Sequence, residues 1–224
     1  MKNIIIAIDG PAGSGKSTSA KIVAEKLGYI YIDTGAMYRA VTLACIEAEI
    51  GINDNEVAKL VDGIRIDLVQ SDLGQRTYLN GKDVSDDIRR PDVTKLVSPV
   101  SAMAYVREKM VIQQREMGLN GGVVMDGRDI GTVVFTNAEL KIYLIASIEA
   151  RAERRLLELK QKGFNYSLEE IIKQISDRDI YDSSREISPL KRADDAVVID
   201  TSNISIQEQT QKIIDLAYQI IGVN

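Results

Sequence analysis

An α/β protein built on a doubly wound parallel sheet, with a small antiparallel subdomain inserted into it, is the fold that this sequence predicts. Three observations carry that expectation. The apolar run Ile4–Ile8 leads directly into Gly10-Pro11-Ala12-Gly13-Ser14-Gly15-Lys16-Ser17 and then into a helical pattern. Short apolar strands alternate with helices over most of the remaining chain, the arrangement of a parallel sheet covered by its crossovers. Between about Gly63 and Ser85 the pattern instead alternates with period two and contains Asn80-Gly81, a hairpin signal foreign to a parallel core.

The eight residues from Gly10 match the phosphate-loop pattern at every fixed position, in the strand–loop–helix setting that the pattern requires. Glycines let the backbone wrap closely around an anion, and successive N–H groups with the following helix N-terminus then face the phosphate oxygens. Lys16 can reach the β- and γ-phosphates, the Ser17 hydroxyl is placed to ligate Mg2+, and Thr18 continues the loop into the helix.

In chain order, the first helix covers Ser19–Leu27 and stops at Gly28, and Tyr29–Ile32 is a short strand. A helix follows from about Met37 to Glu49, and Asn53 with Glu56 caps a shorter one through Val61. Ile64–Leu68 and Arg76–Leu79 are the antiparallel strands, and Ala102–Met117 is helical and charged. Gly121–Asp126 and Leu140–Ala146 return to the buried-strand pattern. Ser147 caps a helix to about Lys162, Ser167 with Glu170 forms a capping box for a helix to about Ile180, and Ala196–Asp200 is the last strand. Ser205 with Glu208 caps the final helix.

Composition removes several chemistries. The chain has no histidine, so histidine bases, histidine metal sites and histidine pH switches are excluded. Its one cysteine, Cys45, cannot form an internal disulfide, and it lies on the apolar stripe Met37, Val41, Ala44, Cys45, Ala48, as a packed core thiol would. Phosphoryl transfer survives both exclusions, because it relies on positioning and charge neutralisation. A net charge of −5 gives no electrostatic reason to expect nucleic acid as a partner. No window reaches the apolar length of a membrane helix and no leader-like segment opens the chain, so a cytoplasmic protein without membrane partners is expected.

Three further clusters carry candidate chemistry. Asp126 ends an apolar strand, where a carboxylate can hold Mg2+ or its waters, and is followed by Gly127-Arg128-Asp129-Ile130-Gly131. The Arg128-Asp129 pair fits either a ligand contact or a salt bridge within a turn. Asp33 and Thr34 can cap the helix that follows, while Arg39 in its first turn opposes the helix dipole unless a phosphate offsets the cost. Arg151, Arg154 and Arg155, and the run Arg178, Asp179, Asp182, Arg185, read either as solvated helix faces or as cations for a transferring phosphoryl group.

Taken together, Ile8-Asp9-Gly10 through Ser17, Asp33-Thr34-Gly35-Ala36-Met37-Tyr38-Arg39, Asp126-Gly127-Arg128-Asp129-Ile130-Gly131-Thr132-Val133-Val134-Phe135 and Asp177-Arg178-Asp179 resemble the bacterial cytidylate kinases. The resemblance runs over essentially the whole chain. It implies a P-loop kinase with core segments 1–35, 121–150 and 166–224, a nucleoside-monophosphate-binding domain over 36–120, and a short helical lid over 151–165. It also implies that a monomer transfers the γ-phosphoryl group of ATP to CMP or dCMP with Mg2+ held through Ser17 and Asp126, partly by water. Lys16, Arg128, Arg151 and Arg155 would be the catalytic cations, with Arg154 on ATP. Thr34, Arg39, Ser98, Arg107, Arg128, Asp129, Arg178, Asp182 and Arg185 would bind CMP. Among these, Arg39 and Arg128 would take its phosphate, Ser98, Arg107 and Asp129 its base, and Arg178 with Asp182 its sugar. Thr34 keeps a hydroxyl where related enzymes often have serine. Other small-molecule kinases share the loop but not the insert or the Arg128-Asp129 run, and a guanine-specific switch would need an Asn-Lys-x-Asp reader, which is absent.

Overall fold

In the computed structural model, which describes residues 2–71, 74–161 and 163–222, the N-terminal apolar run becomes β1 (Ile5–Asp9). Ile6, Ala7 and Ile8 are fully buried, so the strand is covered on both faces, as an apolar run without alternation requires. β1 pairs in parallel with β6 (Val123–Gly127) on one side and β7 (Leu140–Ile145) on the other, and β7 pairs in parallel with β8 (Val197–Asp200). With β2 (Ile30–Asp33) at the edge, the five-stranded order is β2-β6-β1-β7-β8. The chain therefore winds outward from β1 in both directions, and the carboxyl end of β1 is the switch point where such sheets bind ligands.

The described chain divides into two compact units, one running to Tyr31 and resuming at Asn120, the other spanning Ile32–Leu119. In the first unit, α1 (Lys16–Leu27) and α8 (Ile206–Ile221) pack together over the sheet around Val23, Ala24, Ile142, Ile213 and Ile214. α6 (Ile148–Gln161) and α7 (Leu168–Ser184) pack on one another through Ala152, Leu159, Ile171 and Ile175. The expected end of α6 at residue 162 lies outside the described residues. α1 ends on Gly28 in the left-handed region, and both capping boxes, Ser167 with Glu170 and Ser205 with Glu208, are formed. α7 runs one turn past the expected Ile180, which brings Asp182 onto the helix.

The second unit holds α2 (Thr34–Glu47), α3 (Asp54–Asp62), a three-stranded antiparallel sheet, α4 (Pro91–Ala102) and α5 (Ala104–Met117). α2 begins three residues before the expected Met37, because the Asp33 carboxylate accepts the Ala36 N–H and caps it there. Arg39 consequently sits in the second turn, which weakens the dipole argument made for it. Cys45 is buried in the core with Met37, Val41 and Ala44. The sheet comprises β3 (Ile66–Ser71), β4 (Gly74–Leu79) and β5 (Lys82–Asp83), and Leu79 faces Lys82 across the two-residue turn Asn80-Gly81. α4, which no sequence signal delimited, starts on Pro91, where the missing N–H costs nothing, and tolerates Pro99 inside.

Asn80 and Gly81 have φ of 49° and 82°, the pair of left-handed residues that a tight hairpin turn of this hand needs. Nothing lies near the position a Gly81 Cβ would take, so a substitution there tests backbone conformation alone. Gly81→Ala should lower stability by about 1 kcal/mol, read as a shift in the denaturant midpoint. An unchanged midpoint would mean the turn adopts another conformation.

Candidate active site

The phosphate loop leaves β1 through a gap with no room for a side chain: a Cβ on Gly10 would lie 2.2 Å from the Leu144 carbonyl oxygen. Its outward carbonyls are held from outside. Arg151 Nη1 donates to Ala12 O at 3.1 Å, Thr201 Oγ1 to Ser14 O at 3.2 Å, and Gln209 Nε2 to Gly15 O at 3.5 Å. With those carbonyls occupied, Gly15 at φ 88° opens α1, and the first N–H groups of the helix are left for an anion.

Lys16 follows, only 5% exposed, with Nζ donating to Pro11 O at 2.6 Å inside its own loop. Burial holds its ammonium well below the ordinary lysine range; Arg128 and Arg178 push the same way, against the opposing pull of Asp126 and Asp9. A phosphate arriving here would add countercharge beside the ammonium. Pro11 and Ala12 are half-buried, while Gly13, Ser17 and Thr18 are exposed at the loop mouth.

Ser17 Oγ donates to Asp126 Oδ2 at 2.8 Å, and Tyr31 Oη donates to the other oxygen, Oδ1, also at 2.8 Å. The helix start and the strand end thus bring together two hard oxygen donors of the kind Mg2+ prefers. Among the described residues no group of three or more histidine, cysteine or acidic side chains could hold a metal by itself. This donor set fits an ion that takes most of its ligands from phosphate and water.

Beyond Asp126, Arg128 Nε donates to Asp182 Oδ2 at 2.9 Å, Arg185 Nη2 donates to Oδ1, and Arg178 Nε lies 3.8 Å from Oδ2. Asp182 is 1% exposed; burial pushes its carboxyl up, but the three guanidiniums outweigh burial and leave it below the ordinary range. The three arginines of α6 do not share one environment. Arg151 is buried against Asp179 as well as the loop, Arg154 donates to Thr201, and Arg155 is half-buried and pairs with Glu158.

In the second unit, Thr34 is buried at the start of α2, Arg39 is half-buried one turn on, and Ser98 is half-buried on α4. Arg107, buried on α5, donates to Ser101 O at 3.2 Å and stacks 5.3 Å from the centre of the Tyr38 ring. Asp129, in the first unit, is buried at the start of a π-helical turn, Ile130–Val134, which no sequence signal had marked.

A family model described as cytidylate kinase matches residues 6–219. The chain belongs to the cytidylate kinase family. It is 52% identical over 223 residues to the cytidylate kinase of Bacillus anthracis, covering 99% of this chain and 98% of that protein. Against the Bacillus cereus cytidylate kinase it is 53% identical over 216 residues, covering 96% of each. A crystal structure of an uncharacterized Eubacterium ventriosum protein superposes with a TM-score of 0.55 at 15% identity, covering 97% of this chain and 99% of that one, which speaks to the fold alone. Among the described residues no helix is long and apolar enough to cross a membrane.

Sequence reasoning missed several residues of this candidate site. Thr201 directly follows the last strand, a position from which a ligand-edge role was readable. Gln209 and Tyr31 carry no local signal: one is a polar residue inside an amphipathic helix, the other an aromatic residue inside a strand. Asp9 was visible beside the loop but had no role. It is buried, and its two oxygens accept the N–H groups of Ile130 and Gly131 at 2.9 and 2.8 Å.

Burial is the main cause that raises the Asp9 carboxyl from 3.8 to about 7, against the two backbone hydrogen bonds that lower it. The folded protein therefore holds this proton more tightly than the unfolded chain does. The stability that follows is full below pH 3.8 and is lost as pH rises through about 7. Relative to Asp9→Asn, the parent should gain stability as pH falls from 8 to 5, within a whole-window limit on the order of 4 kcal/mol. Denaturant unfolding of both proteins across that range checks it; a constant difference would show that Asp9 does not titrate there.

Proposed function

We infer that this protein transfers the γ-phosphoryl group of ATP to CMP or dCMP, giving ADP and CDP or dCDP. The observation that carries the reading is the family match across residues 6–219, in a chain that keeps the phosphate loop and the Asp126–Phe135 run intact. Residues Gly10 to Thr18 bind ATP, and Lys16 leaves the Pro11 carbonyl for the transferring phosphoryl group. Ser17 and Asp126 would hold Mg2+, partly through water, and the ion would supply countercharge for the transferring phosphoryl group. Tyr31 fixes the Asp126 carboxylate so that its other oxygen faces Ser17.

The acceptor is read by charge and by hydrogen bonds. Arg128, oriented by Asp182, and Arg39 take the CMP phosphate; Arg185 and Thr34 add donors, and Arg178 with Asp182 holds the sugar. Residues 36–120 form the monophosphate-binding domain and residues 151–165 the lid, with core segments on either side. Arg151 and Arg155 act on the transferring group and Arg154 on ATP. Arg151 already touches the loop at Ala12, so its position couples the start of the lid helix to the donor site. No histidine or other base is needed, because the acceptor phosphate is already ionised and the work is positioning and charge neutralisation.

Two experiments test the reading. Lys16→Ala should cut turnover by about 10² to 10³, the cost of losing one preorganised charge at the reacting group, while unfolding stays cooperative; activity within a few-fold of the parent would reject this loop as the donor site. Cytosine offers an amino donor at C4 beside an acceptor at N3, which matches the Asp129 carboxylate with Ser98 and Arg107 as donors. Uracil reverses both groups. An ADP-release assay should therefore favour CMP over UMP by roughly 10⁴ or more, and Asp129→Ala should erode that ratio. Equal use of CMP and UMP by the parent, or a ratio untouched by the substitution, would overturn the base-recognition reading.

A further inference from the structure

Asp9 is a buried carboxyl group to which the reaction above assigns nothing, yet it touches two of the segments that perform it. It ends β1 and is bonded to Gly10, the first residue of the phosphate loop. Across the sheet it lies opposite Gly127, the residue before Arg128. Its Oδ1 and Oδ2 accept the N–H groups of Ile130 and Gly131, the two residues that open the π-helical turn after Asp129. One side chain thus has the loop on its covalent side and the Arg128-Asp129 segment on its hydrogen-bonded side.

The fit is close. A Cβ on Gly131 would meet Asp9 Oδ2 at an ordinary contact distance of 3.4 Å and Lys141 Cδ at a tighter 3.2 Å, so a side chain there would press on Lys141 beside the carboxylate. Both partners are donors, and only a group with two acceptor oxygens satisfies them together. An amide cannot, because one of its two positions is an NH2 facing an N–H. The carbonyls of the phosphate loop, by contrast, have their own supports in Arg151, Thr201 and Gln209. Disturbing Asp9 should therefore move the Arg128-Asp129 segment more than the ATP loop.

We propose that Asp9 is a positioning residue that sets the Arg128-Asp129 segment relative to the phosphate loop and thereby controls the choice of cytosine over uracil. The proposal rests on the reading that Asp129 receives the cytosine amino group. The Asp9 oxygens are taken up by backbone amides, so the residue would act through the segment it holds. Hydrogen-bond discrimination between bases is steep in geometry, so a small displacement of Asp129 should cost selectivity before it costs ATP binding.

The test compares four proteins by ADP release with CMP and with UMP: the parent, Asp9→Asn, Gly131→Ala and Ile213→Val. Gly131→Ala alters the residue whose N–H the Asp9 carboxylate accepts, placing a methyl against Lys141 and Asp9, and carries the test should Asp9→Asn fail to fold. Ile213→Val trims the core that α8 shares with α1 and the sheet, outside the Arg128-Asp129 segment, and reports what a general loss of packing does. Asp9→Asn and Gly131→Ala should each lower the CMP-to-UMP ratio of kcat/KM by about tenfold or more, with KM for ATP within about threefold of the parent. Ile213→Val should leave the ratio where it is. A parent that does not distinguish CMP from UMP would overturn the base-recognition reading and this proposal with it. A discriminating parent whose ratio survives in whichever of the first two variants folds, or falls equally in Ile213→Val, would overturn the role of Asp9 alone. So would a rise in KM for ATP as large as that for CMP.

Discussion

The closeness of β1 to β7 at Gly10 is the constraint from which the site follows. The chain leaves the central strand against the Leu144 carbonyl with no space for a Cβ, so the loop must begin in a backbone conformation that only glycine takes easily. Once turned, the loop cannot satisfy its own carbonyls. Arg151, Thr201 and Gln209 satisfy three of them from later elements, which commits the opposite face of the loop, with its N–H groups, to an anion. Each support comes from a different helix or strand end, and the phosphate site is therefore a product of the whole sheet.

Charge is arranged around that loop in advance of the substrate. Lys16 is buried among other cations and held in a state that disfavours its own ionisation. Asp182, one of the most deeply buried carboxylates in the chain, is surrounded by Arg128, Arg178 and Arg185 and stays ionised because of them. Removing one member of such a cluster leaves an uncompensated buried charge, so its residues act as a unit and single substitutions there will not add. Fixed guanidiniums cost little reorganisation when a phosphate arrives, and a family that carries out phosphoryl transfer benefits from that rigidity.

The second unit solves a different packing problem. Its antiparallel sheet buries one face against helices, with Ile66, Leu79 and Val84 in a core shared with α2, α3, α4 and α5, and leaves Lys82 and Asp83 outside. Beside this core the Arg107 guanidinium lies over the Tyr38 ring and donates to Ser101 O, which together fix its position. Ser98 and Arg107 are thereby held on well-packed helices and not on loops, which suits residues proposed to read a base.

By itself the sequence determined the elements whose signals are local. The phosphate loop, the strands on either side of the insert, the Asn80-Gly81 turn and both serine capping boxes depend on residues within a few positions of one another, and their chemistry is readable there. The same holds for the absence of histidine, which excluded whole mechanisms. Helix starts were less legible: α2 begins at Thr34 because the Asp33 side chain reaches Ala36, and α4 announces itself only through Pro91. What tertiary structure alone decided is which distant residues meet. Asp9 with Ile130, Tyr31 with Asp126, and Thr201 with Ser14 are separated by 121, 95 and 187 positions. Nothing local marks such a residue as a partner, because the burial that makes its hydrogen bond obligatory exists only after the sheet has closed around it.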